Sequence, residues 1–397
     1  MSTHTLSANT ELDLKNIYRN KRSLIIGLTL SSLLFIFLEF NYGWRQGALF
    51  LVGLFAGLVL YHAAFGFTAG WREIVSTGKG AGLRAQMIML GVTVVLFSLI
   101  ISQGELFGTQ VVGRVAPLNT AVAFGAFVFG LGMQLGGGCA SGTLFTVGGG
   151  NIRMLITLIA FIAGSVIGTW HWSSWQDAAG IDPVVLTERL GSIGGVTVSL
   201  LIFSVIYYAT VLYERRRHGA VVYEPKSNFS VLKGPWPLIA GAIALVIVNV
   251  ATLVLAGRPW GVTSGLALWG AKFIGILGLD VSNWPYWLRA SQAASLEESV
   301  FSNITSVMNF GIILGAFIAA SLAQKFSPST KIQKGHLLSA VIGGLMMGYG
   351  ARLAFGCNIG AYFSGIGSTS MHGWLWFAAA FAGSIIGIRL RPKFGMK

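Results

Sequence analysis

Along the chain, long apolar runs alternate with short polar segments. Ten runs stand out, at 23–40, 46–61, 85–103, 119–135, 153–171, 193–213, 236–256, 303–324, 337–353 and 374–390. A helix needs roughly 20 apolar residues to cross the hydrocarbon core of a bilayer, so the pattern predicts about ten transmembrane helices. Four breaks, around 66–70, 136–142, 261–265 and 354–360, are rich in glycine rather than in charge. Irregular backbone at membrane depth is tolerated only when it is buried in protein or lines a cavity. These breaks are therefore expected to dip into the bundle as re-entrant loops. Residues 1–22 are polar and carry Lys15, Arg19, Lys21 and Arg22 ahead of the first run. That run is longer than a secretory signal core and lacks a small-residue cleavage site after it, which predicts a retained helix.

Composition agrees with the pattern. The chain is 54% hydrophobic and only 10% charged, against about 25% charged in a soluble domain, and its mean hydropathy is +0.71. So few charges cannot clothe a water-facing surface, and lipid must be the solvent for most of it. Too little chain remains for a water-side catalytic domain. The net charge of +14 suggests nucleic acid until its distribution is read. With the N-terminus placed inside, inner segments hold 20 of the 27 Lys and Arg residues and seven remain outward or within the membrane. That asymmetry is the positive-inside rule, so the partner of the basic loops is lipid headgroups and not nucleic acid. Both termini are then expected in the cytoplasm. No G-x-x-x-x-G-K-[ST] loop for ATP is present, and two cysteines make neither a disulfide framework nor a zinc site. No cofactor is expected.

The cysteines sit in an internal repeat. Residues 125–149 and 343–367 align without a gap at an offset of 218. They share Gly125/Gly343, Gly130/Gly348, Gly132/Gly350, Leu135/Leu353, Gly138/Gly356, Cys139/Cys357, Gly142/Gly360, Phe145/Phe363 and Gly149/Gly367. Most identities are Gly or Cys, chosen for backbone approach and chemistry rather than for apolarity. A weaker echo pairs Gly66-Phe67-Thr68-Ala69-Gly70 with Gly261-Val262-Thr263-Ser264-Gly265, after which the second half carries an extra polar stretch, 281–301. Counting crossings, helix 119–135 runs inward to Cys139 and helix 337–353 runs outward to Cys357, so the repeats are inverted. Inverted repeats enclose substrate paths near the membrane midplane, built from broken helices. The expected organisation is residues 1–45 as terminus and extra helix, 46–192 as first repeat, 193–235 as connector, and 236–397 as second repeat.

Candidate chemistry centres on the Gly-Cys loops. Gly138, Gly142, Gly356 and Gly360 let backbone N–H groups face a ligand, and short helices starting at Ser141 and Ile359 would aim their positive ends at an anion. A neutral thiol adds a weak S–H donor and a polarizable sulfur, suited to a soft sulfur-bearing anion. The plainer reading of a membrane cysteine is a small buried hydrophobe. Ser141 and Asn358 read as ligand contacts or as helix caps. Gly66, Thr68, Gly261 and Thr263 belong to the partner breaks. Arg352, the repeat mate of Gln134, reads as an anion attractor or as a snorkelling cation, and Lys272 reads the same two ways. His62 and His372 lie near Gly segments and read more simply as interfacial residues.

The signatures FGLGMQLGGGCASGT (129–143) and GGLMMGYGARLAFGCNIG (343–360) resemble those of the YeeE/YedE sulfur-transport family. The resemblance implies an hourglass-shaped helical importer of thiosulfate in the bacterial inner membrane. In that picture the anion passes among cysteine thiols through S–H hydrogen bonds, with Cys139 and Cys357 as two of the pathway cysteines. It also implies a cytoplasmic sulfur-carrier companion of the TusA type. Two departures stand out. The family's early segment reads like Arg-Phe-Cys-Leu-Thr-Gly-Gly-Phe-Arg-Asp, whereas here Gly66 replaces the cysteine, and helix 23–40 is additional. The alternative from another class is a membrane thiol-redox or sulfur-transfer enzyme using Cys139 and Cys357, which would need a thiolate activated by a neighbouring base or cation. A scaffold that only docks a sulfur-carrier protein is a third reading.

Overall fold

The computed structural model describes residues 3–222, 230–328 and 332–396, with side chains from residue 16 onward. Lys226, Lys331 and Lys397, three of the inner cations, and the side chain of Lys15 lie outside the described residues. In chain order the helices are α1 (Thr3–Tyr42), α2 (Trp44–His62), α3 (Phe67–Thr77), α4 (Ala81–Ile101) and α5 (Thr120–Gly136). They continue as α6 (Ala140–Gly148), α7 (Ile152–Trp170), α8 (Leu186–His218), α9 (Leu238–Ala256), α10 (Thr263–Ile276) and α11 (Ala290–Glu297). The last group is α12 (Ile304–Leu322), α13 (Lys334–Leu353), a π-helical turn Asn358–Phe363 running into α14 (Ser364–Gly367), and α15 (Met371–Leu390).

Among the described residues ten stretches are long and apolar enough to cross a membrane, and each overlaps one of the ten apolar runs along most of that run's length. The protein is an all-α, multi-pass membrane protein. Sheet is confined to two pairs of two-residue strands in loops, Glu105–Leu106 with Thr109–Gln110 and Leu118–Asn119 with Gly180–Ile181. The first helix is longer than its apolar run, because the polar segment continues it backward to Thr3.

The helices pack by backbone approach, as expected where lipid tails are as apolar as any side chain and close contact must supply the attraction. At the centre α5 crosses α13, α5 packs on α15, and α13 packs on α7. Glycines set these contacts. A Cβ built on Gly343 would lie 2.2 Å from the Gly136 nitrogen, and one on Gly350 would lie 2.4 Å from the Gly125 carbonyl oxygen. Gly130 meets the Ala380 carbonyl and Gly348 meets that of Phe161 in the same way. A second group joins α2 to α12 through Gly53, Gly57, Gly311 and Gly315.

Hydrogen bonds and ion pairs between loops sort them into two ends of the bundle. One end gathers the loops after α4, α7, α9 and α13: Val112 donates to the Gly257 carbonyl, Arg114 to that of Phe355, and Leu186 to that of Thr369. The other end holds the cation-rich loops. There Arg84 and the Gly80 amide close on the buried carboxylate of Glu214, and Arg153 reaches the carbonyls of Leu135 and His336. The chain runs from the first end to the second along α5 and back along α13.

Candidate functional site

Three helix breaks share one backbone feature. Ala64 (φ 45°), Gly137 (φ 94°) and Phe355 (φ 55°) each take the left-handed conformation two residues before the N-cap of the next helix. For Ala64 and Phe355 that conformation costs on the order of 1 kcal/mol, so packing must impose it. The residue that then starts each helix from an extended conformation is Gly66 for α3, Cys139 for α6, and Cys357 for the turn Asn358–Phe363. Gly66 therefore stands at the same backbone position as the two cysteines. The helices begin at Ala140 and Asn358, one residue before the starts at Ser141 and Ile359 read from sequence, because each cysteine itself is the N-cap.

Both thiols are free and buried, and they belong to one contiguous apolar core with Phe129, Met133 and Met347. The Cys139 sulfur lies 3.4 Å from the Ser141 hydroxyl and 3.5 Å from where a Cβ on Gly142 would stand. Gly138 packs against the Met154 methyl. Nearby, the Gln134 amide donates to the Thr68 carbonyl at 3.2 Å, which ties the end of α5 to the start of α3. Trp71 and Tyr362 meet edge to face at 5.8 Å, and both bond the side-chain oxygen of Gln86, linking α3 to the helix after Cys357.

On the side of Cys357 a cavity of about 300 Å³ opens at the first end of the bundle. Gly356 and Gly360 form part of its wall, with Gly261 and Thr263 opposite. A Cβ on Gly360 would stand 3.9 Å from the Gly261 Cα, so the two breaks approach backbone to backbone. Arg114, Arg258, Arg289 and Arg352 also line it, and none of its lining residues is acidic. Arg352 is 5% exposed and donates to the Tyr286 hydroxyl at 2.8 Å. Arg289 lies over the Trp172 ring at 5.3 Å and over Tyr286 at 5.5 Å. Desolvation by the enclosing walls, then the charges of Arg258 and Arg352, push the Arg114 guanidinium down to about 10. It is still charged at neutral pH. The site is thus a walled, wholly cationic mouth suited to an anion.

Several fully buried polar atoms around these breaks have no hydrogen-bond partner among the described residues. They include both amide atoms of Asn358, the Thr68 hydroxyl, the Gln134 side-chain oxygen and the Arg352 Nε. An unpaired buried polar group costs about 1–3 kcal/mol, a cost that a passing polar solute would relieve.

Of the sequence candidates, Arg352, Gly261, Thr263, Gly356 and Gly360 meet at the cavity, with Cys357 and Asn358 directly behind it in the chain. Gly66, Thr68, Gly138, Cys139, Ser141 and Gly142 do not line it. Lys272 also lies away from it, its ammonium held by the Leu296 carbonyl at 2.8 Å. His372 is buried against the Ser370 hydroxyl. Sequence reading missed Arg114, Arg258, Arg289 and Tyr286. A usable signal existed: seven Lys or Arg residues fall outside the inner segments, and four of those seven converge here.

The fold and the site together define a multi-pass helical membrane bundle with glycine-broken helices and a cationic mouth. A model of the Sulphur transport family matches residues 62–386, and the chain belongs to that family. It is 29% identical over 342 residues to the thiosulfate transporter TsuA of Spirochaeta thermophila, covering 82% of this chain and 92% of that one. It is 25% identical to TsuA of Escherichia coli over 83% of this chain and 90% of the relative. It is also 33% identical over 161 residues to the probable transporter YedE of Escherichia coli, an alignment covering 40% of this chain and 39% of YedE. The chain therefore spans well under half the length of the YedE relatives. The resemblance carried by the two Gly-Cys signatures holds at the level of the family.

Proposed function

We propose that this protein imports a small sulfur-containing anion, thiosulfate first, across the bacterial inner membrane through a path lined by the thiols of Cys139 and Cys357. The observation that carries the reading is the four-arginine cavity that ends on the Gly-Cys loop of Cys357. The similarity to two thiosulfate transporters over most of the chain supports the choice of substrate. In this reading the two repeats of the 218-residue offset are inverted, and the crossing pairs Gly125 with Gly350 and Gly132 with Gly343 support it. The cationic mouth opens outside, and the termini lie in the cytoplasm.

The anion collects at Arg114, Arg258 and Arg352, sheds water against Asn358 and the Cys357 S–H, and passes to Cys139 and Ser141. No covalent step is needed. The polar atoms of Thr68 and Gln134 continue the path, and a TusA-like carrier at the cation-rich end receives the sulfur. The redox-enzyme alternative needs a base at a thiolate, whereas Ser141 is the side chain bonded to either sulfur among the described residues.

The test is uptake of labelled thiosulfate by proteoliposomes holding the purified protein. Saturable uptake inhibited by unlabelled thiosulfate is expected, and absence of uptake in either membrane orientation sinks the proposal. Removing two cavity charges, as Arg114→Gln with Arg258→Gln, should raise the half-saturating concentration roughly thirtyfold with little change in maximal rate. Each charge contributes on the order of 1 kcal/mol to a nearby anion in a partly wet site. The wild-type half-saturating concentration should stay flat through neutral pH and rise as pH approaches about 10, where Arg114 loses its proton.

Gly66→Cys provides a separate check. The backbone there has φ −118°, open to any residue, and the nearest atom to a new Cβ is the Ala69 methyl at 3.3 Å. The variant should fold, with uptake at least as fast as the wild type. Slower uptake would mean that the path needs bare backbone at this point.

A further inference from the structure

Helix α1 begins well before residue 62, where the family match starts, and it encloses a cleft with α2 and α12. The cleft has a volume of about 710 Å³, with walls that include Leu28, Ile36, Leu54, Leu58 and Ile318. It runs along α2 from Leu51 to His62, about 16 Å of helix axis, close to the depth of one hydrocarbon leaflet. The loop bearing Val231, Leu232 and Trp236 closes it at the cation-rich end of the bundle. There Trp236 stacks on His62 with ring centroids 5.7 Å apart, and its amide donates to the His62 carbonyl at 2.8 Å. The His62 side chain is 4% exposed, and its Nε2 has no partner among the described residues.

Cations ring this closed end. Lys21 and Arg22 lie on α1, Lys233 lies in the closing loop, and Lys325 lies just past α12, all exposed. The Lys325 loop is held beside α1 by the Phe326 amide, which donates to the Asn20 side-chain oxygen at 3.1 Å. An apolar cleft of leaflet depth, an unpaired imidazole nitrogen at its rim and a ring of cations above have one chemical complement. We propose that this cleft binds one phospholipid with an anionic headgroup. Its acyl chain fills the space between α1 and α2, His62 meets the glycerol-ester level, and the phosphate sits among Lys21, Lys233 and Lys325. The site is separate from the anion path, and α1 is the wall that makes it a pocket rather than ordinary lipid-facing surface.

Native mass spectrometry of the purified protein in mild detergent, with added phosphatidylglycerol or phosphatidylcholine, tests this. One phosphatidylglycerol per protein should be retained. Lys233→Gln with Lys325→Gln should weaken retention by about fivefold per charge, the equivalent of about 1 kcal/mol each near a membrane surface. Ser31→Phe, which fills the cleft, should lower retention about tenfold or more, with thiosulfate uptake unchanged. Leu58→Phe serves the same purpose should Ser31→Phe fail to yield monodisperse protein. Equal retention of the two lipids, retention of some other hydrophobic molecule, or full retention by the filled variant would each overturn the proposal. Because uptake is measured on the same preparations, failure of the lipid site is distinguishable from failure of the transport reading.

Discussion

Proteoliposomes carrying Cys357→Ala should take up labelled thiosulfate at a small fraction of the wild-type rate, a loss of roughly tenfold to a hundredfold. The Cys357 sulfur is fully buried at the start of the helical turn behind the cationic cavity, where an anion must exchange water for protein donors. A hydrogen bond to a charged partner contributes about 1.5–3 kcal/mol net, and about 1.4 kcal/mol is a factor of ten. Alanine removes only the sulfur, so the lost donor is accompanied by no more than a small void in the core. Cys139→Ala should act in the same direction, with the Ser141 hydroxyl at 3.4 Å from the lost sulfur leaving one donor in place and a milder loss. Cys357→Ser keeps a donor but replaces the soft sulfur with a harder, better hydrated oxygen, and should fall between. Wild-type rates in both alanine variants would sink the thiol path while leaving the arginine mouth untouched.

Gly343→Val should abolish the folded protein rather than its transport. A Cβ there would stand 2.2 Å from the Gly136 nitrogen, 2.6 Å from the Gly132 carbonyl oxygen and 2.7 Å from the Gly136 Cα. All three are backbone atoms, which cannot swing aside as a flexible side chain would. Relief requires α5 and α13 to separate, and that loosens the Gly125–Gly350 contact and the neighbouring contacts of α13 with α7. The cost should exceed about 4 kcal/mol, a large share of the 5–15 kcal/mol that typically separates folded from unfolded states. Fluorescence-detected gel filtration of tagged protein should show aggregate in place of a monodisperse peak. Gly275→Val is the control, because nothing lies within 4 Å of its Cβ position. Should Gly343→Val run as a monodisperse peak, the α5–α13 contact is not what holds the core together.

Legibility in the sequence was uneven, for physical reasons. Helix number and approximate limits follow from local apolarity, since a bilayer tests each segment largely by itself, and every run from 23–40 to 374–390 lies within a helix apart from about two residues at most at either end. The repeat of Gly-Cys loops was visible too, because residues selected for backbone approach repeat their identity as well as their polarity. The family signatures at 129–143 and 343–360 were readable for the same reason. The equivalence of Gly66 with the cysteines was weaker, because a missing side chain leaves no chemical mark. The family segment around it pointed to that equivalence, and the shared left-handed turn at Ala64, Gly137 and Phe355 adds the backbone evidence.

What the chain by itself determined was a polytopic helical protein with two buried thiols in glycine loops and cations collected at one end. Only the tertiary structure decided where the other cations meet. Arg114, Arg258, Arg289 and Arg352 are separated by up to 238 residues, and no local pattern links them. They converge because α5 and α13 cross through glycines and bring the loops after α4, α9 and α13 to one mouth. Tertiary packing likewise decided that Lys272 is an anchor for α11, and that His62 lines the cleft beside α1 rather than the four-arginine cavity. Helix formation depends on neighbours a few residues away, whereas a charged cavity depends on which distant loops the packed backbones leave side by side.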